Sequence, residues 1–229
     1  MFDYLIKNGK IIDGTKKNGF VADIAIKGDS IVEIGEINTP SNVEINAKGK
    51  VVCPGFIDLH THSDASFLID PYADSKLTQG VTLELVGNCG MSFCAPLIGG
   101  AKKRFKEWIK QSGENLIPNW KDFDGYLEML EKTGSTINLA TQVGHGTVRS
   151  AVMDMDPRMP TQNELDQMKG IFADSLDSGA LGMSTGLWYA PGCYSLADEV
   201  IEITKIAAER DKLYSSHIRS ESDDLCGLF

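Results

Sequence analysis

At 229 residues, 42% hydrophobic and 24% charged, the chain has room for one large domain or two smaller ones and can bury a sizeable core. Its formal charge of −10, from 22 Lys and Arg against 32 Asp and Glu, argues against nucleic acid and anionic membranes as partners, since both recruit clustered positive charge. The N-terminus has no basic stretch leading into an apolar run, and no window approaches the ~18 apolar residues of a membrane span, so a soluble, cytoplasmic protein is expected. Five cysteines, Cys53, Cys89, Cys94, Cys193 and Cys226, fall at irregular spacing, which suits a reduced compartment better than a disulfide scaffold.

Residues 1–51 read as a small β module. Apolar stretches at 4–6 and 10–12 flank Asn8-Gly9, a two-residue hairpin signal, and those at 21–26 and 30–34 flank Gly28-Asp29. From residue 52 the pattern changes to strands alternating with helices, which predicts a parallel sheet covered by helices. Strands are expected near 55–60, 81–86, 137–143, 180–184 and 213–217. A helix after Pro160 opens on a capping box, Thr161-x-x-Glu164, and carries Leu165, Met168, Phe172 and Leu176 on one face. A second begins after Ser195, where Ser195-x-x-Asp198 has the same form. Residues 91–135 form an excursion too long for a plain connection, with helical patterns at 101–111 and 120–132. This insertion is expected either to shape a pocket as a lid or to decorate the surface. The basic run Lys102-Lys103-Arg104-Phe105-Lys106 reads as one solvated helix face.

The chemistry concentrates in a few places. Val52-Cys53-Pro54-Gly55-Phe56-Ile57-Asp58-Leu59-His60-Thr61-His62 ends in two histidines one residue apart on an expected strand, so both imidazoles face one space and suit a divalent metal such as zinc. A bare His-x-His also occurs as a surface or core pair. Here Pro54-Gly55 breaks the preceding segment and polar Ser63-Asp64 follows at once, as expected where a buried parallel strand delivers ligands at its C-terminal end. Cys89, between Asn88 and Gly90 after the 81–86 strand, should emerge at the same end, although a lone buried Cys is commonly a packing residue. His217 closes the last predicted strand. His145, just past the 137–143 strand, suits either a substrate contact or a hydrogen-bonded structural role. Tyr189, after the 180–184 strand, has aromatic packing as its default role.

Pro54-Gly55-Phe56-Ile57-Asp58-Leu59-His60-Thr61-His62 resembles the first-strand signature of the amidohydrolase superfamily, metal-dependent hydrolases built on a (β/α)8 barrel. Gln79-Gly80-Val81-Thr82 followed by Val86-Gly87-Asn88-Cys89-Gly90 is similar to the D-aminoacylase (N-acyl-D-amino-acid deacylase) branch, and Ser216-His217-Ile218-Arg219-x-Glu221 resembles its fifth-strand motif. The resemblance implies an α/β fold: a partial amidohydrolase barrel of about five strands over 52–229, preceded by a small N-terminal β-sandwich module over 1–51. It further implies zinc-dependent hydrolysis of the amide of an N-acyl-D-amino acid, a small-molecule substrate. Cys89 and His217 would hold a tight zinc, His60 and His62 a second, weaker position, and Tyr189 and His145 would contact substrate. The strand at 180–184 offers no lysine to bridge two metals, which favours the cysteine variant over a dihydroorotase or hydantoinase. In that branch the general-base Asp, a further His ligand and a substrate-binding Arg come later in the chain, beyond residue 229, so no catalytic residue is expected within it. A chain carrying five of eight barrel strands is expected to be truncated and to self-associate or need a partner, the other reading being a non-catalytic, zinc-binding remnant.

Overall fold

A computed structural model describes residues 1–93 and 95–220. The chain divides into two compact units, Met1–Gly55 and Phe56–Phe229.

The first unit is a five-stranded sheet of β1 (Phe2–Ile11), β2 (Phe20–Lys27), β3 (Ser30–Gly35), β4 (Ser41–Asn46) and β5 (Val51–Val52), ordered β3-β2-β1-β4 with β5 also on β1. β1 runs antiparallel to β2 and parallel to β4 and β5. The β2–β3 hairpin turns at Gly28-Asp29 as expected, with Lys27 opposite Ser30. Asn8-Gly9 does not turn the chain. It is a bulge inside one long strand: pairing slips between Ile6 and Gly9, Asn8 takes φ 62°, and its N–H donates to Asp23 Oδ1 at 2.9 Å. Asn and Gly tolerate left-handed backbone whether the chain reverses or merely kinks, so the dipeptide alone does not distinguish the two. Leu5, Ala25 and Ile37 form the buried core of this unit.

The second unit is a parallel half-barrel. Its elements are β6 (Phe56–Asp58), α1 (Ser66–Ile69), α2 (Asp74–Leu77), β7 (Val81–Val86), α3 (Gly99–Ser112), α4 (Phe123–Thr133), β8 (Asn138–Gly144), α5 (His145–Met153), α6 (Gln162–Asp177), β9 (Gly182–Gly186), a 3-10 turn (Gly192–Tyr194), α7 (Ala197–Ala208) and β10 (Leu213–His217). The strands lie in the order β10-β9-β8-β7-β6, so chain order is preserved across the sheet, as right-handed βαβ crossovers require. Every pairing is parallel.

The helices cover the sheet through Val148, Met153, Met168, Phe172, Leu176, Ile203 and Ala207, packed with Val143 and Met183 from the strands. The expected capping box is present at α6: Thr161 takes the Glu164 N–H, and Glu164 reaches back to the Thr161 backbone. The one expected at α7 is not. Leu196 is the N-cap, without a side-chain hydrogen bond, and Ser195 spends its hydroxyl on Glu199 Oε1 at 3.0 Å instead. The 91–135 insertion is built into the body of the unit, because Phe105, Trp120, Phe123 and Tyr126 sit in the same buried cluster as the sheet-covering helices. Among the described residues no helix is long and apolar enough to cross a membrane. Among the described residues β6 and β10 are the edge strands of this sheet, and Phe56, Ile57, Leu59, Leu213 and Ile218 at or next to them are exposed.

Candidate metal centre

β6 stops at Asp58, so His60 and His62 lie just beyond the strand rather than on it. Thr61 between them is the anchor. It is buried, and both its N–H and its hydroxyl donate to the carbonyl of Leu85 on β7, at 3.2 and 3.3 Å. With Thr61 turned inward, the flanking histidines turn outward together, their ring centroids 5.6 Å apart at 73°.

β7 ends at Val86 and the chain makes a tight turn, Gly87-Asn88-Cys89-Gly90. Gly87 (φ 75°) and Gly90 (φ 73°) supply left-handed backbone, and Cys89 itself takes φ 54°. A side chain at Gly90 would strike the Gly186 backbone at 2.7 Å, so the turn can lie directly on the end of β9. Cys89 Sγ comes to 3.3 Å from His60 Nε2. One donor atom from each of His60, His62 and Cys89 falls within 4.8 Å of the others. Two donors at ~2.0 and ~2.3 Å from a tetrahedral zinc stand about 3.5 Å apart, so the His60–Cys89 spacing fits a shared ion and the N, N, S donor set suits zinc. Burial pushes the Cys89 thiol up, while burial and the adjacent His60 ring lower the His62 imidazole toward its neutral, ligating form.

Beneath these residues runs a buried chain of amides. Asn88 Nδ2 donates to the carbonyls of Leu85 (2.8 Å) and Thr61 (3.2 Å), and its Oδ1 accepts from Gln142 Nε2 at 3.2 Å. Gln142 Oε1 in turn accepts from Ser215 on β10 at 2.9 Å. The loop bearing both histidines is thus connected, strand by strand, to the strand that ends in His217.

His217 sits at the C-terminal end of β10, opposite Gly186, at the same end of the parallel sheet as Cys89. It stands outside the three-residue donor group, since β8 and β9 intervene between β7 and β10. Its Nδ1 lies 2.6 Å from the Ile218 carbonyl, to which it donates. Tyr189 packs edge-on against it, with ring centroids 5.2 Å apart.

His145 is placed elsewhere. It is fully buried at the start of α5, its Nε2 2.8 Å from Glu199 Oε1. Glu199 also receives Arg149 Nη1, and Arg149 Nη2 donates to the carbonyl of Arg158 at 2.6 Å and of Asp156 at 3.3 Å. No short-range pattern marks this network, and Ser195, expected as a helix cap, donates to Glu199 instead. Two other buried carboxylates carry no signal in the sequence. Glu84 is fully buried on β7 and shares Lys76 with Asp58, each at 2.9 Å from Nζ. Asp64 is pushed up to about 7 by burial, with the backbone amides of Asp64, Gly87 and Phe93 pulling the other way. Of the cysteines, Cys94 and Cys226 lie outside the described residues, as does Glu221.

A parallel half-barrel with histidine and thiol donors grouped at its strand ends defines the class of metal-dependent barrel hydrolases. Residues 43–214 match the amidohydrolase family, and the chain belongs to it. It is 34% identical over 225 residues to the D-aminoacylase of Alcaligenes xylosoxydans xylosoxydans, covering 98% of this chain and 46% of that protein. It is 37% identical over 223 residues to N-acyl-D-glutamate deacylase of the same organism, covering 96% of this chain and 44% of that one. The crystal structure of N-acyl-D-glutamate deacylase from Bordetella bronchiseptica, complexed with zinc and a phosphonate mimic of the tetrahedral intermediate, superposes with a TM-score of 0.86 at 37% identity. That match covers 99% of this chain and 47% of that structure. The chain spans about half the length of the relatives it matches.

Proposed function

We propose that the chain forms the metal-binding portion of a zinc-dependent hydrolase that removes the acyl group from N-acyl-D-amino acids. The observation that carries this is the convergence of His60, His62 and Cys89 at the C-terminal ends of adjacent parallel strands. Relatives of like sequence are a D-aminoacylase and an N-acyl-D-glutamate deacylase, which supports amide cleavage as the reaction. His60, His62 and Cys89 would hold an ion, and His217, at the same end of the sheet on β10, would complete or extend the donor set. Zinc bound there supplies Lewis-acid chemistry, polarising an acyl carbonyl and acidifying water. The phenol of Tyr189 would donate a hydrogen bond to the acyl oxygen as negative charge develops on it. The carboxylate that takes and returns a proton would come from strands outside this five-stranded sheet.

The test is hydrolysis of an N-acetyl-D-amino acid and its L enantiomer in the presence of zinc. The 229-residue chain is assayed alone and as part of a polypeptide extended by three further barrel strands. Turnover of the D substrate by the extended form, with a loss of at least ~10²-fold in the short chain, is expected, because base catalysis alone is worth about that much. Comparable turnover by both would overturn the assignment. The open sheet edges favour a second reading, a chain that binds zinc without catalysis, and zinc uptake by an extended form that turns nothing over would select it.

A further inference from the structure

Cys89 is held in left-handed backbone, a conformation that a non-glycine residue keeps only when its surroundings enforce it. The enforcing group is on another strand. Ser184 of β9 is fully buried, and its hydroxyl accepts a hydrogen bond from the Gly90 N–H at 3.0 Å while donating to the carbonyl of Gly87. One hydroxyl therefore grips both ends of the Gly87-Asn88-Cys89-Gly90 turn. Ser184 reaches the turn because β8 ends beside it in Gly144, where any side chain would run into the Gly90 backbone.

We propose that Ser184 is a positioning residue for the metal centre: it fixes the Cys89 turn so that the thiolate is presented beside His60 and His62. The proposal rests on Cys89 being a metal ligand, as argued above. Without the hydroxyl, the Gly90 N–H and the Gly87 carbonyl lose the partner that closes the turn, and nothing on β8 can replace it, since Gly144 has no side chain. The Ser184 hydroxyl is engaged with the turn's backbone and lies outside the donor group. Its effect passes entirely through the backbone that carries Sγ.

The experiment is titration of the 229-residue chain with Co2+ alone, following the thiolate-to-metal charge-transfer absorbance and the dissociation constant. Ser184→Ala is compared with the unaltered chain, with Cys89→Ala, with Ser184→Thr, and with Ser175→Ala, whose buried hydroxyl donates to the Ile171 carbonyl within α6. Ser184→Ala is expected to weaken Co2+ binding ~10- to 100-fold, the usual cost of losing a group that orients a ligand, and to diminish the thiolate band per bound ion. Ser184→Thr should restore the band, and Ser175→Ala should leave band and affinity intact. Wild-type affinity and band in Ser184→Ala would overturn the proposal. Absence of a thiolate band from the unaltered chain, or its persistence in Cys89→Ala, would instead overturn the assignment of Cys89 as a ligand, and the proposal with it. Should Ser184→Ala not fold, hydrogen exchange in the unaltered chain decides: the Gly90 amide should be protected like the amides of β8, and free exchange would refute the clamp.

Discussion

Replacing Glu199 by Gln should cost the protein a large part of its stability without touching the metal centre. Arg149 is fully buried, and the Glu199 carboxylate is its only charged partner among the described residues, the guanidinium's other bonds going to the carbonyls of Arg158 and Asp156. Gln keeps the shape but leaves a buried cation uncompensated, a change worth about 3–5 kcal/mol. With a urea slope of about 2 kcal/mol per molar, the midpoint should fall by about 2 M. Removing both charges together, with Arg149→Met beside Glu199→Gln, should recover much of the loss, since well-packed neutral groups often match a buried pair. The pH dependence adds a second check. Burial pushes the Glu199 carboxyl up, but His145 and Arg149 outweigh it and hold the group below the usual carboxylate range. Its stabilising contribution is therefore complete above the unfolded value of about 4.3 and is lost as pH falls through the lower folded value. Urea unfolding of the unaltered chain should show that acid loss, and Glu199→Gln should flatten it. A midpoint within ~0.5 M of the unaltered chain at pH 7 would refute the account, because it would mean that Arg149 is satisfied without a carboxylate.

Cys89→Ala should remove or sharply weaken zinc binding measured by metal analysis of the purified chain, and undiminished zinc would take Cys89 out of the site. Gly90→Ala should destabilise by about 1–3 kcal/mol in urea unfolding, since an added side chain meets the Gly186 backbone and the residue sits at φ 73°. Lys76→Met should destabilise at pH 7 by leaving Glu84 buried without its cation, and a Glu84→Gln background should relieve most of that loss. In the extended enzyme, Tyr189→Phe should lower kcat by about 10²-fold with little change in KM, which steady-state kinetics will report.

The strands at 81–86 and 213–217 were legible to the residue, because each is a short extended run between clear helix or turn signals. The first barrel strand proved shorter than expected, ending at Asp58, because Thr61 leaves the sheet direction to bond the Leu85 carbonyl. That His60, His62, Cys89 and His217 lie toward one end of the sheet is legible because parallel strands deliver their C-terminal ends to one face, whereas the sequence reading pairs Cys89 with His217 and the structure sets Cys89 beside His60. The separation of His217 from the donor group is not legible, since it depends on how far β8 and β9 hold β10 from β7. The failures share a cause. Asn8-Gly9 and Ser195-x-x-Asp198 were read by local rules, yet Asn8 is claimed by Asp23 and Ser195 by Glu199, partners that a local rule does not rank. The His145–Glu199–Arg149 network joins residues about 50 positions apart and leaves no short-range pattern.

The amide chain from Ser215 through Gln142 and Asn88 to the Thr61 carbonyl bears on the order in which the molecule assembles. Its links span 73, 54 and 27 residues of sequence, so each closes only after a long loop has been drawn in. The histidine loop can take its Thr61–Leu85 and Thr61–Asn88 bonds as soon as β7 and its turn are in place, and Gln142 joins Asn88 with β8. Only the last link, Ser215 to Gln142, waits for the fifth strand. During synthesis, a metal ion meeting the nascent chain would therefore find the donors of His60, His62 and Cys89 grouped before the buried amides beneath them are fully satisfied.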